Sequence, residues 1–224
     1  MNLRHHIPNA CTLLNAFSGM AAIFFLSQGG IDKAMFFWGL CYVFDGFDGL
    51  LARYLKAESD VGKQLDSLAD VISFGALPAY FLFSLCEAEN TVLPLGCIVY
   101  LLGVILRLAR FNVAESKTIF FQGLSSPLAA LLVGWVGIGL KPLPLFCYPL
   151  LAGLLAFLMN APLPLLKTKG FQYVPRPILM FAGFGLVLGI GLQLLFETSL
   201  LIPLGLLVYL LLSLTTFHRL KDKS

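Results

Sequence analysis

Apolar runs of about 15–22 residues, the length of a membrane-spanning helix, recur along the whole chain. Eight helices built on them are expected roughly at 9–27, 33–56, 61–85, 91–113, 126–140, 144–160, 177–195 and 199–217, with short polar segments between them. Within a bilayer only a helix or a closed barrel satisfies its own backbone. The expectation is an all-α fold, a polytopic transmembrane helical bundle. The fifth and sixth runs are short and their loops are rich in proline, so six to eight spans are expected. Composition agrees: of 224 residues 58% are hydrophobic and 12% charged, against about 25% charged in soluble domains. No linker, low-complexity run or charged tail breaks the pattern, and residues 1–224 read as a single membrane domain.

Charge placement orients the bundle. With the N-terminus inside, one side of the membrane holds Arg4, Arg53, Lys56, Lys63, Arg107, Arg110, Lys117, Lys167, Lys169, Arg176, Arg219, Lys221 and Lys223. The other side holds only Lys33 and Lys141, so the division is 13 against 2 of the 15 basic residues. Basic residues favour cytoplasmic loops, and both termini are expected there. Lys167, Lys169 and Arg176 mark one such loop, suited to anionic lipid. The first run is read as a span and not a signal peptide, because Asn9, Thr12, Asn15 and Ser18 interrupt it. His5 and His6 read as interfacial residues. Cys11, Cys41, Cys86, Cys97 and Cys147 have no metal-type or redox spacing and read as packing residues, as do Trp38, Tyr42 and the 20 phenylalanines.

Four acidic residues violate the pattern. Asp45, Asp48, Asp66 and Asp70 stand inside otherwise apolar helices, where an aspartate costs about 2.5–3.5 kcal/mol at mid-membrane and marks a functional candidate. Asp45 and Asp48 are three apart, hence on one face of the second helix, with Ala52 one turn further along. Asp66 and Asp70 are four apart on the third, with Gly62 one turn before them. A short polar turn separates the two helices; Ser59 is the expected N-cap of the third, with Asp60 in its first turn. The two carboxylate pairs can then face each other across a helical hairpin, about one to three turns below the cytoplasmic face. Gly49 and Gly62 would let a bulky polar ligand approach backbone.

Converging carboxylates in a low dielectric repel one another unless cations intervene. Ionised, the four carry a charge of −4, which one divalent cation lowers to −2 and two cancel. Hard oxygen ligands favour Mg²⁺, Mn²⁺ or Ca²⁺ over Zn²⁺. A two-metal carboxylate site suits displacement at phosphorus, because it stabilises entering and leaving oxygens together.

The segment Asp45-Gly46-Phe47-Asp48-Gly49-Leu50-Leu51-Ala52-Arg53, then eight residues, Gly62, three residues, Asp66, three residues and Asp70 resembles the signature of the CDP-alcohol phosphotransferase family. All eight fixed positions of that pattern are present within 26 residues. The segment from Gln64 to Pro78, the stretch Leu106-Arg107-Leu108-Ala109-Arg110-Phe111-Asn112 and the opening Pro8 to Asn15 are similar to the membrane-embedded phosphatidylserine synthases of that family. Ser125 stands where that group commonly has a second proline beside the retained Pro127. The resemblance covers about half the chain and weakens after residue 130.

The resemblance implies transfer of a phosphatidyl group from CDP-diacylglycerol to L-serine, with release of CMP. It implies Asp45, Asp48, Asp66 and Asp70 as ligands of two divalent cations, Mg²⁺ or Mn²⁺ with Ca²⁺ as a further occupant, and Asp70 also as general base. Gly49, Ala52, Arg53 and Gly62 would line the CDP pocket with Asp48 and Asp66. Asn9, Thr12 and Asn15, a stripe at three-residue spacing on the first helix, either line that pocket or hydrogen-bond between helices. Arg107 and Arg110 either bind lipid phosphate or the serine carboxylate, or serve as positive-inside residues. A homodimer in a prokaryotic plasma membrane is expected, with the active site at the cytoplasmic face, the lipid bilayer as a partner and no nucleic acid. Glycerol 3-phosphate, inositol or inositol phosphate is the alternative acceptor. A cation-coupled transporter is the alternative class; those sites usually lie at the midplane between repeats, and no repeat is visible here.

Overall fold

The computed structural model describes residues 3–86, 92–113, 120–139 and 143–166. The apolar runs at 177–195 and 199–217, with Lys117, Lys167, Lys169 and Arg176, lie outside them. Among the described residues, packing falls into two units, one formed by residues up to 113 with 143–157 and the other by 120–139 with 158–166.

The first unit opens with α1 (Leu3–Ser27) and α2 (Ile31–Tyr54). Between them Gly29 takes a left-handed φ of +73°, and Gly29 and Gly30 donate to the carbonyls of Leu26 and Phe25 at 3.0 and 2.9 Å. That reversal closes α1 with the glycine cap that helix ends favour and sends α2 back antiparallel along it. The polarity of α1 is inverted relative to a soluble helix. Thr12, Asn15 and Ser18 are buried, while Leu13, Phe17, Met20 and Phe24 are more than half exposed. On α2, Ala34, Trp38, Cys41 and Asp48 face inward and Phe36, Phe47 and Leu50 outward. An apolar exterior, with the polar stripe of α1 turned inward, suits lipid as solvent.

Lys56 ends α2 at φ 50°, and Ala57 donates back to the Ala52 carbonyl at 2.9 Å. The turn leads into a nearly continuous rod of α3 (Asp60–Asp70), a π-helical segment (Val71–Ala76) and α4 (Leu77–Leu85). Ser59 caps α3, its Oγ accepting from the Gly62 amide at 3.0 Å, as expected. The π segment has a local cause. Pro78 carries no amide hydrogen, so the Phe74 carbonyl one turn earlier loses its helical donor. The fully buried Tyr100 hydroxyl donates to that oxygen instead, at 3.1 Å.

This rod sits between α1 and α5 (Val92–Val113). Gly19 lets α1 come so close that a Cβ there would lie 2.7 Å from Ser73 Oγ, and a Cβ on Gly75 would lie 3.0 Å from Leu101. Across the far side of α5, Gly103 abuts Ala156 of α7 (Cys147–Asn160). Phe74, Leu77, Leu82 and Val104 form the fully buried centre.

In the second unit α6 (Ser126–Gly139) is accompanied by a two-stranded antiparallel pair, β1 (Phe120–Gln122) with β2 (Pro164–Leu166). The sequence reading did not anticipate that pair, whose strands have three residues each. Gly123, at φ +75°, packs directly on the Met159 carbonyl, a place with no room for a side chain. Among the described residues four helices are long and apolar enough to cross a membrane: His6–Ser27, Ile31–Tyr54, Asp60–Leu85 and Pro94–Val113. The fifth and sixth expected spans are shorter apolar helices.

Candidate functional site

The hairpin of α2 and the α3 rod brings the four aspartates together. Carboxylate oxygens of Asp45, Asp48 and Asp66 all lie within 4.8 Å of one another. Asp48 is buried and is held from α1, where Thr12 Oγ1 donates to its Oδ2 at 2.7 Å. The same hydroxyl lies 3.2 Å from the Pro8 carbonyl, so Thr12 is fixed by its own helix. Asp70, one turn beyond Asp66, is buried at the base of the cluster within hydrogen-bonding reach of Asp45. Its Oδ1 is buried without a hydrogen-bond partner.

These donors fit hard divalent cations. Every one is a carboxylate oxygen, and the spacing lets three share one ion. Mg²⁺, Mn²⁺ and Ca²⁺ take such ligands, whereas sites built for Zn²⁺ favour nitrogen and sulfur.

Beside the cluster opens a cavity of about 510 Å³, within the range of roughly 300–1,000 Å³ found for small-molecule sites. Asp48 and Asp66 border it with Pro8, Asn9, Thr12, Gly49, Ala52 and Gly62, and the polar turn Ala57-Glu58-Ser59-Asp60 closes one side with Lys63. Small residues make the space. A Cβ on Gly62 would come within 3.1 Å of Ser59 Oγ and 3.2 Å of Asn9 Oδ1; one on Gly49 would meet only the Arg53 guanidinium, at 3.8 Å.

Thus Asn9, Thr12, Asp48, Gly49, Ala52, Gly62 and Asp66 line one cavity, and Asp45 and Asp70 lie against its acidic wall. The three arginines stand outside the walls. Arg53 is exposed and its Nε donates to the Gly49 carbonyl at 2.8 Å. Arg107 is half-buried on α5, close enough to Asp70 and Tyr100 to act on both electrostatically. Arg110 is exposed in the last turn of α5.

Sequence reasoning missed how α5 is fastened beside the site. Asn112 accepts from Lys63 Nζ at its carbonyl (3.0 Å) and from Ser67 Oγ at its side chain (3.1 Å), and its Nδ2 donates to Gln64 at 3.2 Å. The only sequence signal was one asparagine closing an apolar helix beside two arginines. The cavity-facing Ala57 and Glu58 of the polar turn, and Lys63 in α3, were not singled out as site residues.

A family model described as CDP-alcohol phosphatidyltransferase matches residues 5–166, nearly all of the described chain. The chain belongs to this family. Within the CDP-alcohol phosphatidyltransferase family it is similar to the CDP-diacylglycerol–serine O-phosphatidyltransferase of Bacillus subtilis, 34% identical over 128 residues, which cover 57% of this chain and 72% of that protein. It is also similar to the protein of the same name from Methanocaldococcus jannaschii, 38% identical over 127 residues, 57% of this chain and 58% of the other. A third relative is the archaetidylserine synthase of Methanothermobacter thermautotrophicus, 37% identical over 131 residues, 57% of this chain and 55% of the other. Several curated relatives are matched over only about half their length.

Proposed function

We propose that this chain is an integral membrane enzyme that transfers the phosphatidyl group of CDP-diacylglycerol to the hydroxyl of L-serine, giving phosphatidylserine and CMP. One observation carries the reading: in a chain of this family, three carboxylates converge beside a cavity lined by small and polar residues. Serine as acceptor is supported by the names of the similar proteins.

Asn9, Thr12, Gly49, Ala52 and Gly62 would seat the cytidine diphosphate, with Arg53 at the same end of α2 available to phosphate. Two divalent cations, Mg²⁺ or Mn²⁺, held by Asp45, Asp48, Asp66 and Asp70 would offset the carboxylate charge, bind the diphosphate and stabilise the entering and leaving oxygens. Asp70 takes the proton of the serine hydroxyl. That oxygen forms the new bond to the β-phosphorus, and the bond from this phosphorus to the oxygen of CMP breaks. Arg107, beside Asp70, and Arg110 would meet the serine carboxylate or the lipid phosphate.

The reading puts both termini and the acidic centre at the cytoplasmic face of a prokaryotic plasma membrane, with the chain as one domain of a homodimer. Serine and CMP then exchange with water while acyl chains stay in lipid. The uneven division of basic residues supports this orientation. Asp70→Asn tests the assignment of the base: turnover should vanish while CDP-diacylglycerol binding persists. Loss of substrate binding and metal binding together would make Asp70 chiefly a ligand and overturn its role as base.

A further inference from the structure

The polar stripe of α1 holds a group the chemistry above does not use. Asn15 is fully buried, and both Oδ1 and Nδ2 of its side chain are without a hydrogen-bond partner. Such groups are rarely left over in a packed interior, and an apolar residue of the same shape would avoid the cost.

Its neighbours are known from backbone contacts. The Asn15 carbonyl accepts from Ser73 Oγ at 3.1 Å and lies 3.8 Å from Cys41 Sγ. Cys41, Asp45 and Asp48 follow one face of α2 at spacings of four and three. One turn before Asn15, Thr12 is bonded to Asp48. Because α1 and α2 run antiparallel, the position level with Asn15, between those two contacts, belongs to Asp45. Ser73 likewise stands one turn beyond Asp70, whose Oδ1 is a second buried atom without a partner. Helical side chains lean toward the N-terminus of their helix. That tilt carries the Asn15 carboxamide from the level of Cys41 and Ser73 toward Asp45 and Asp70.

We propose that Asn15 is a positioning residue of the acidic centre: its carboxamide engages the Asp45 and Asp70 carboxylates when divalent cations are held, as Thr12 engages Asp48. The inference rests on the metal-site reading above. Supporting partners of this kind orient metal ligands, and losing one typically weakens metal binding about 10–100-fold.

The test is Mn²⁺ binding to purified, metal-stripped protein by titration calorimetry, with thermal unfolding of the stripped protein measured alongside. Asn15→Leu should leave the metal-free protein as stable as wild type or more so, yet weaken Mn²⁺ binding about tenfold or more. Asn15→Ala should show the same loss of affinity and stands in if the leucine variant does not fold. Wild-type Mn²⁺ affinity in the folded variants would overturn the proposal and make Asn15 a packing residue. No Mn²⁺ binding by wild type itself would instead remove the metal reading, and this inference with it.

Discussion

Thr12 and Gly62 show how single side chains set the cavity. Thr12 spends its one hydroxyl on Asp48 at 2.7 Å, and a hydrogen bond to a charged group contributes about 1.5–3 kcal/mol. Thr12→Val keeps the shape and removes the bond, so thermal unfolding of the metal-free protein should report a loss of that order. Unchanged stability would mean that Asp48 finds another donor. Gly62 works by absence. Gly62→Val would press methyl groups toward Asn9 Oδ1 and Ser59 Oγ, which already lie within 3.2 Å of the nearest possible carbon. CDP-diacylglycerol binding should weaken at least about tenfold, or about 1.4 kcal/mol, in equilibrium binding to protein that still takes up Mn²⁺. At this scale much was legible in the sequence, because an aspartate in an apolar helix is conspicuous and a spacing of three or four fixes its face. Which donor meets which acid was not legible, since the contact from Thr12 to Asp48 joins residues 36 apart in sequence.

Among the elements, the rod from Asp60 to Leu85 holds the site against both neighbours. Its π segment follows Asp70 directly, and the Phe74 carbonyl freed there depends on Tyr100. Tyr100→Phe strands a buried acceptor and should cost about 1–3 kcal/mol, read as a lower unfolding temperature; an unchanged temperature would mean that the carbonyl finds another donor. Ser59→Ala removes the N-cap and should cost about 1 kcal/mol. The expected run at 61–85 coincides with this rod within a residue, and Ser59 was foreseen as its cap. The widened turn was not foreseen: Pro78 was visible, but apolar periodicity cannot tell which carbonyl a proline will orphan or what will satisfy it. The strand pair escaped for a similar reason, since Phe120–Gln122 and Pro164–Leu166 find each other only through the fold.

For the whole molecule, the lipid-facing apolar exterior of α1 and α2 follows from the apolar runs, and the acidic centre is the exception the bundle is built around. Holding four carboxylates together costs electrostatic free energy that divalent cations recover. EDTA should therefore abolish turnover, Mn²⁺ or Mg²⁺ should restore it, and Mn²⁺ should raise the unfolding temperature of wild type but much less that of Asp66→Asn. The central claim is tested most directly by giving purified protein CDP-diacylglycerol, Mn²⁺ and labelled L-serine, and measuring label in the extracted lipid together with CMP released. The account predicts labelled phosphatidylserine and CMP in equal amounts, both lost on chelation. CMP release without serine entering lipid, or none with any alcohol from protein that binds Mn²⁺, would contradict it.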